Sequence, residues 1–183
     1  MNNIFGLYAS TGDGKTALIN AVVVSQALVG KIQIIKSTTT RPREGRDNNG
    51  SYNFVTIDEF EKMCVAGRFI ETVTYGGNLY GFDYDGVDQA LAHAHGICAI
   101  TKNRILNLRE SGYSVVPIEI IAVGNEDNKS QFYAQNPSRR NDDEAMAKII
   151  VDSAHVIVNN FAPGGLYKAT QEIVDLIIRF NKT

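Results

Sequence analysis

Ile4-Phe5-Gly6-Leu7-Tyr8-Ala9-Ser10-Thr11-Gly12-Asp13-Gly14-Lys15-Thr16 passes from an apolar, strand-like run through a loop of small residues into a stretch with helical apolar spacing. The pattern predicts a strand over 4–9 and a helix over about 15–29. Strand, loop, Gly-Lys-Thr and helix in that order are the context a P-loop requires. Small residues let consecutive amides curl around phosphate oxygens at the positive end of a helix. Lys15 adds a point charge, and the Thr16 hydroxyl can ligand Mg²⁺. Ser10, Thr11, Gly12, Asp13, Gly14, Lys15 and Thr16 are therefore expected to hold a nucleoside triphosphate, with ATP the expected donor. The usual first glycine is Ala9 here, which serves as long as its backbone stays in an ordinary dihedral region. A Gly-rich turn before a helix is the plainer reading, and the order of the four parts speaks against it.

Working outward, apolar runs at 31–35, 97–100, Val115–Val123 and 155–159 alternate with helical patterns, and a last helix is predicted over 163–180. Such alternation implies a parallel sheet covered by helices. Between 37 and 84 the pattern changes to polar loops and short aromatic-rich strands at 51–55, Phe69–Tyr75 and 79–84, the mark of an inserted small sheet. Thr56-Ile57-Asp58-Glu59 has the spacing of a capping box, opening a helix that runs to about Ala66. The polar stretch 124–144 has the look of a mobile flap between a strand and a helix.

At 183 residues and a net charge of -2, the chain fits one ordinary domain and lacks the basic excess that would indicate nucleic acid as a bulk partner. Cys64 and Cys98 lie in apolar stretches without metal-ligand spacing and are expected to be buried reduced thiols. No leader pattern or long apolar run is visible, so a cytoplasmic protein is expected. Nothing in the sequence bears on its oligomeric state.

Downstream lie Ser37-Thr38-Thr39-Thr40-Arg41-Pro42-Arg43-Glu44-Gly45, Tyr52-Asn53-Phe54-Val55, Phe69-Ile70-Glu71 and Gly77-Asn78-Leu79-Tyr80-Gly81. Arg41 and Arg43 offer planar, always-charged forks suited to a phosphate dianion, and Tyr52 and Tyr80 add neutral hydroxyl donors. Alone, two arginines in a polar loop fit a solvated surface; beside a P-loop they point to a second, monophosphate ligand. Glu71 sits among apolar residues, where a carboxylate must face water or find donors. Guanine supplies two, N1–H and the 2-amino group, whereas adenine presents an acceptor at N1. The plainer readings are an exposed strand position for Glu71 and a loop hydroxyl for Ser37.

Together with the P-loop, these motifs resemble guanylate kinases, strongly over about residues 4–84 and weakly through Val156-Ile157-Val158-Asn159-Asn160. The resemblance implies transfer of a phosphoryl group from Mg-ATP to GMP or dGMP. It assigns Glu71 to the guanine edge, places Ser37 near the guanine carbonyl and counts Asn159 among the nucleotide-binding residues. The chain also departs from the family. Arg41 abuts Pro42 directly, Arg46 stands where an acidic residue is usual, Phe82 replaces a small hydroxyl residue, and Thr101 and Asn103 stand for an Asp-x-Asp pair. Losing two carboxylates near the acceptor and metal–phosphate region is expected to weaken activity or shift acceptor choice.

The family's flap supplies cations over the transferring phosphoryl group, and the candidates here are Arg139, Arg140 and Lys148. A cation there would stabilise transition-state charge and help exclude water. The alternative is a charged loop whose Asp142, Asp143 and Glu144 favour the start of a helix. His93 and His95, late in a predicted helix, are expected to face solvent, and Tyr75 and Tyr84 to build the small sheet.

The resulting expectation is an α/β protein. A P-loop core with a parallel sheet flanked by helices spans 1–36, 85–123 and 145–183, an acceptor-binding insertion with a small mixed sheet spans 37–84, and a lid spans 124–144. Lys15, Arg41 and the lid cations would carry direct in-line transfer, and Thr16 would hold the metal. One alternative is a related kinase with another monophosphate acceptor. The other is a silent binding module holding a phosphopeptide or nucleotide, against which the retained Lys15 and Thr16 speak.

Overall fold

In the computed structural model, which describes residues 2–44, 50–152 and 154–181, the chain is organised around β1 (Ile4–Tyr8), buried along its whole length. Both faces of this strand are covered, which is why it reads as an unbroken apolar run. Phe5 and Leu7 face one cluster with Leu18, Val22, Ile118 and Ile173; Ile4 and Tyr8 face the other with Phe82, Val87, Ile105 and Leu108. Gly6, on the second face, lets the strand come close to Ile100, whose Cγ2 would lie 2.9 Å from an added Cβ.

Five parallel strands form the main sheet in the order β2 (Ile32–Ile34), β7 (His95–Ala99), β1, β8 (Val115–Val123), β9 (His155–Asn160). The helices α1 (Lys15–Val23) and α7 (Gly165–Phe180) contribute to the first cluster, and α3 (Tyr84–Leu91) and α4 (Lys102–Glu110) to the second. From β1 the chain leaves towards β2 at one edge, while the chain after β7 crosses over to β8 on the far side of β1. The C-terminal end of β1 is thus a topological switch point, where α/β sheets bind ligands.

The second sheet has the order β4 (Tyr52–Phe54), β3 (Ser37–Thr39), β6 (Asn78–Asp83), β5 (Phe69–Tyr75). It is mixed: β3 pairs with β4 in parallel, while β3–β6 and β5–β6 are antiparallel. The capping box forms as predicted at the start of α2 (Ile57–Val65). Thr56 Oγ1 accepts the Glu59 amide at 3.2 Å and the Glu59 carboxylate accepts the Thr56 amide at 2.7 Å. Phe60, buried on this helix, stacks on Phe69 at 4.5 Å.

Several expectations are corrected. The first helix ends at Val23, and a separate 3₁₀ turn, Gln26–Leu28, buries Leu28 completely. The β-branched run Val22-Val23-Val24 disfavours continuation, and turning inward there covers Leu28. The polar stretch 124–144, in which no helix before 145 was expected, holds α5 (Glu126–Gln135) and most of α6 (Pro137–Ala147), with Pro137 at the first helical position. Neither buries a residue, so neither carries the apolar stripe by which a helix is read from sequence. His95 opens β7 instead of facing solvent: it is buried, and its Nδ1 accepts the Asn3 amide at 2.9 Å. Burial holds its pKa below the usual histidine range. Cys98 is buried as expected, but Cys64 is exposed on α2. The expectation about Arg46 lies outside the described residues. Among the described residues no helix is long and apolar enough to cross a membrane.

Candidate active site

The phosphate loop follows β1 at the switch point, and Gly12 and Gly14 take φ values of +83° and +90°, which a side chain would strain. A Cβ on Gly14 would also lie 2.4 Å from the Asn159 amide nitrogen. That nitrogen donates to the Asp13 carbonyl at 3.0 Å, and Asn125 donates to the Gly12 carbonyl at the same distance. Both asparagines are buried, so the loop's curl is held from behind by two side-chain amides. Asp13 turns inward, 4 % exposed, and accepts from Lys129 at 3.0 Å.

Lys15 donates to the carbonyls of Ala9 and Ser10 at 2.8 and 2.9 Å, folded back along the loop. Burial pushes its pKa down to about 8, against the opposing pull of the Asp143 and Asp13 carboxylates. Thr16 lies in the first turn of α1 and lines a narrow cleft between the loop and the second sheet.

An anion already sits on this loop. The Thr11 amide donates at 2.8 Å to Asp143 of α6, whose carboxylate also accepts from the Tyr75 hydroxyl at 2.9 Å and from Tyr133 at 2.7 Å. The neighbouring Asp142 accepts the Gly76 amide at 3.0 Å. Thr11 and Tyr75 join hydroxyl to hydroxyl. Loop, small sheet and α6 therefore meet at Tyr75, a residue expected only to build the sheet.

Of the three candidate cations near α6, Arg139 alone turns inward. Its guanidinium lies 4.1 Å from the centre of the Tyr75 ring, and the neighbouring Tyr75 and Tyr80 hydroxyls hold its pKa above the usual arginine value against the pull of burial. Arg140 pairs with Glu144 at 2.8 Å on the surface, and Lys148 is exposed in the turn after α6.

Across the cleft, Arg41 and Arg43 stack over an aromatic pair. Arg41 lies 5.1 Å from the Tyr52 ring and 5.7 Å from Phe54, and Arg43 lies 5.3 Å from Phe54. Arg41 also pairs with Glu44 at 3.0 Å. Tyr80 packs against Tyr52 at 6.3 Å, so Arg41, Arg43, Tyr52 and Tyr80 share one neighbourhood. Ser37 is buried, with its hydroxyl donating to the Gly81 carbonyl at 3.3 Å. Ser37, Tyr52 and Phe82 line the same cleft as Thr16, with a cavity of about 20 Å³. That holds about one water molecule and no nucleobase.

Glu71 is not at an exposed strand position: its side chain is 8 % exposed, one oxygen accepting from Arg104 Nε and the other from Asn107 Nδ2. Thr101 spends its hydroxyl on the Arg104 amide as the cap of α4, and Asn103 is exposed. Arg104 was legible as an arginine on the apolar spacing of a helix, beside Ile105 and Leu108, which demands a buried partner. Asn125, Lys129 and Asp143 carry no comparable signal, because they meet the loop across more than a hundred residues of chain.

An anion-binding loop at the end of a central parallel strand, facing an arginine cluster across a closing cleft, defines the P-loop nucleotide-binding class of α/β proteins. Within that class the chain belongs to the guanylate kinase family, whose model, described as guanylate kinase, matches residues 2–162. Guanylate kinase from Mannheimia succiniciproducens is 34 % identical over 91 residues, 49 % of this chain and 44 % of the relative. That from Neisseria gonorrhoeae is 39 % identical over 93 residues, 50 % of this chain and 43 % of the relative. These matches span less than half the length of the relatives. The crystal structure of guanylate kinase from Anaplasma phagocytophilum shares the fold, with a TM-score of 0.65 at 21 % identity over 97 % of this chain and 85 % of that one.

Proposed function

We propose that the protein transfers the γ-phosphoryl group of Mg-ATP directly to the 5′-phosphate of GMP or dGMP, giving ADP and GDP or dGDP. The observation that carries this reading is the Asp143 carboxylate on the Thr11 amide: the loop binds an anion with its backbone, 2.8 Å away, where a phosphate oxygen would sit. The same contact supports a fit to ATP, whose phosphates would displace Asp143 and engage the loop amides and Lys15. Thr16 is the residue that would hold Mg²⁺, and the metal would supply charge neutralisation between the phosphates. Arg41 and Arg43, with Tyr52 and Tyr80, would hold the acceptor phosphate, and Ser37 and Glu71 the base. Arg139 is the lid cation for the transferring group, a reading supported by its guanidinium lying 4.1 Å from the centre of the Tyr75 ring. In-line geometry needs no covalent intermediate, so positioning and electrostatic stabilisation carry the rate.

On this reading residues 37–84 act as the acceptor-binding part and 124–144 as the lid of the core, and the protein works in the cytoplasm. The test is ADP formation from Mg-ATP with GMP, dGMP, AMP, CMP, UMP and dTMP, with Lys15→Ala as blank. Turnover with guanine nucleotides supports the proposal. ADP formation that no monophosphate accelerates, while GMP still binds, would replace the kinase with a nucleotide-binding module.

A further inference from the structure

The end of the cleft beneath Phe82 contains a group that the transfer reaction does not use. Arg104 is 3 % exposed, donates through Nε to Glu71, and lies with its guanidinium 4.4 Å from the centre of the Phe82 ring. Its Nη2 is buried without a hydrogen-bond partner. A guanidinium stays charged at any accessible pH, and a buried N–H of this kind calls for an acceptor. Phe82 lines the cleft, as does Cys98, whose thiol is pushed up to about 12 by burial and drawn the other way by the Arg104 charge. The unpaired donor therefore adjoins the space a base would open.

Resting on the acceptor site proposed above, we infer that Arg104 and Glu71 together read the lactam edge of the base, a ring N–H beside a carbonyl, and that the pocket does not depend on a 2-amino group. Glu71 retains a lone pair on the oxygen shared with Arg104, which can accept a ring N–H. Arg104 Nη2 can donate to the carbonyl next to it. The second carboxylate oxygen is already bonded by Asn107, so it is satisfied whether or not a 2-amino group is present. A missing substrate group is penalised only when it leaves a buried partner unpaired. For adenine both Glu71 and Arg104 would be left facing the wrong partner. For hypoxanthine nothing is left unpaired, because Asn107 still satisfies the carboxylate.

The experiment compares kcat/KM for GMP, IMP and AMP at saturating Mg-ATP, in the unaltered protein and in Asn107→Ala. IMP is expected within about tenfold of GMP, and AMP about 10³-fold or more below both. Removing Asn107 leaves that carboxylate oxygen dependent on the 2-amino group for a donor, so the preference for GMP over IMP should rise about tenfold. This ratio is one that a merely structural role for Asn107 would not move. Overturning results are IMP falling a hundredfold or more below GMP in the unaltered protein, AMP used as well as GMP, or an unchanged ratio in a folded Asn107→Ala. If that variant does not fold, the IMP-to-GMP ratio of the unaltered protein decides. If no monophosphate is phosphorylated, the kinase reading falls alone, and the same ratios are read from calorimetric Kd values. Absence of binding by all three would overturn both readings.

Discussion

Replacing Asn159 by alanine tests whether the phosphate loop is held from behind or merely coils freely. The Asn159 side chain is buried, its nitrogen lies 3.0 Å from the Asp13 carbonyl, and it occupies the space left by the missing Cβ of Gly14. In the alanine variant that carbonyl keeps its burial and loses this donor, a cost of about 1–3 kcal/mol. For a domain of this size each kcal/mol moves Tm by about 2–4 °C, so Tm should fall by roughly 2–12 °C. Asn159→Asp keeps the shape but points a carboxylate at the carbonyl, so it should melt below the alanine variant. The assay is thermal melting at neutral pH with and without Mg-ATP, which should raise Tm less in either variant than in the parent, because the amide array is less well held. An alanine variant within about 1 °C of the parent, or an aspartate variant more stable than the alanine one, would refute the argument.

Further expectations concern charge, the lid and the thiols. Lys15 has its pKa lowered from 10.5 to about 8, so between these values the folded chain binds fewer protons than the unfolded one. Stability relative to Lys15→Met should therefore rise from pH 8 to 10.5, and parallel melting curves for the two proteins across that window would contradict the burial of the ammonium. Arg139→Ala should lower kcat by about 10²-fold or more, as loss of a group that meets transition-state charge does. Arg140→Ala, which breaks only an exposed pair, should leave kcat within about twofold; equal effects of the two would end the assignment of the lid cation. Cys64 is exposed and Cys98 buried with its pKa pushed up to about 12, so iodoacetamide should label a single thiol in the folded protein and none in Cys64→Ser.

Much of the fold was written in local patterns. The apolar run of β1, the Gly-Lys-Thr that opens α1 and the capping box at Thr56 and Glu59 each depend on residues within a few positions of one another, and all three form as expected. Periodicity failed where burial was absent: α5 and α6 bury nothing, so their helices left no stripe. In the candidate site, the sequence singled out Lys15, Thr16, Arg41, Arg43, Tyr52 and Tyr80 by the donors that phosphate binding demands, and the structure gathers Arg41, Arg43, Tyr52 and Tyr80 in one neighbourhood. What each polar group does with its partners was not legible. Asn159, expected at the nucleotide, bonds a loop carbonyl; Tyr75, a sheet residue as expected, also joins the loop to α6; and Glu71, expected at a base, is bonded by Arg104 and Asn107. These pairings join residues from 33 to 146 positions apart. The sequence by itself determined the elements that bury an apolar face and the chemistry on offer, through short-range sterics and apolar spacing. Only the tertiary structure decided which donors meet which acceptors, because that depends on how the strands are ordered and on which polar groups burial forces to find a partner.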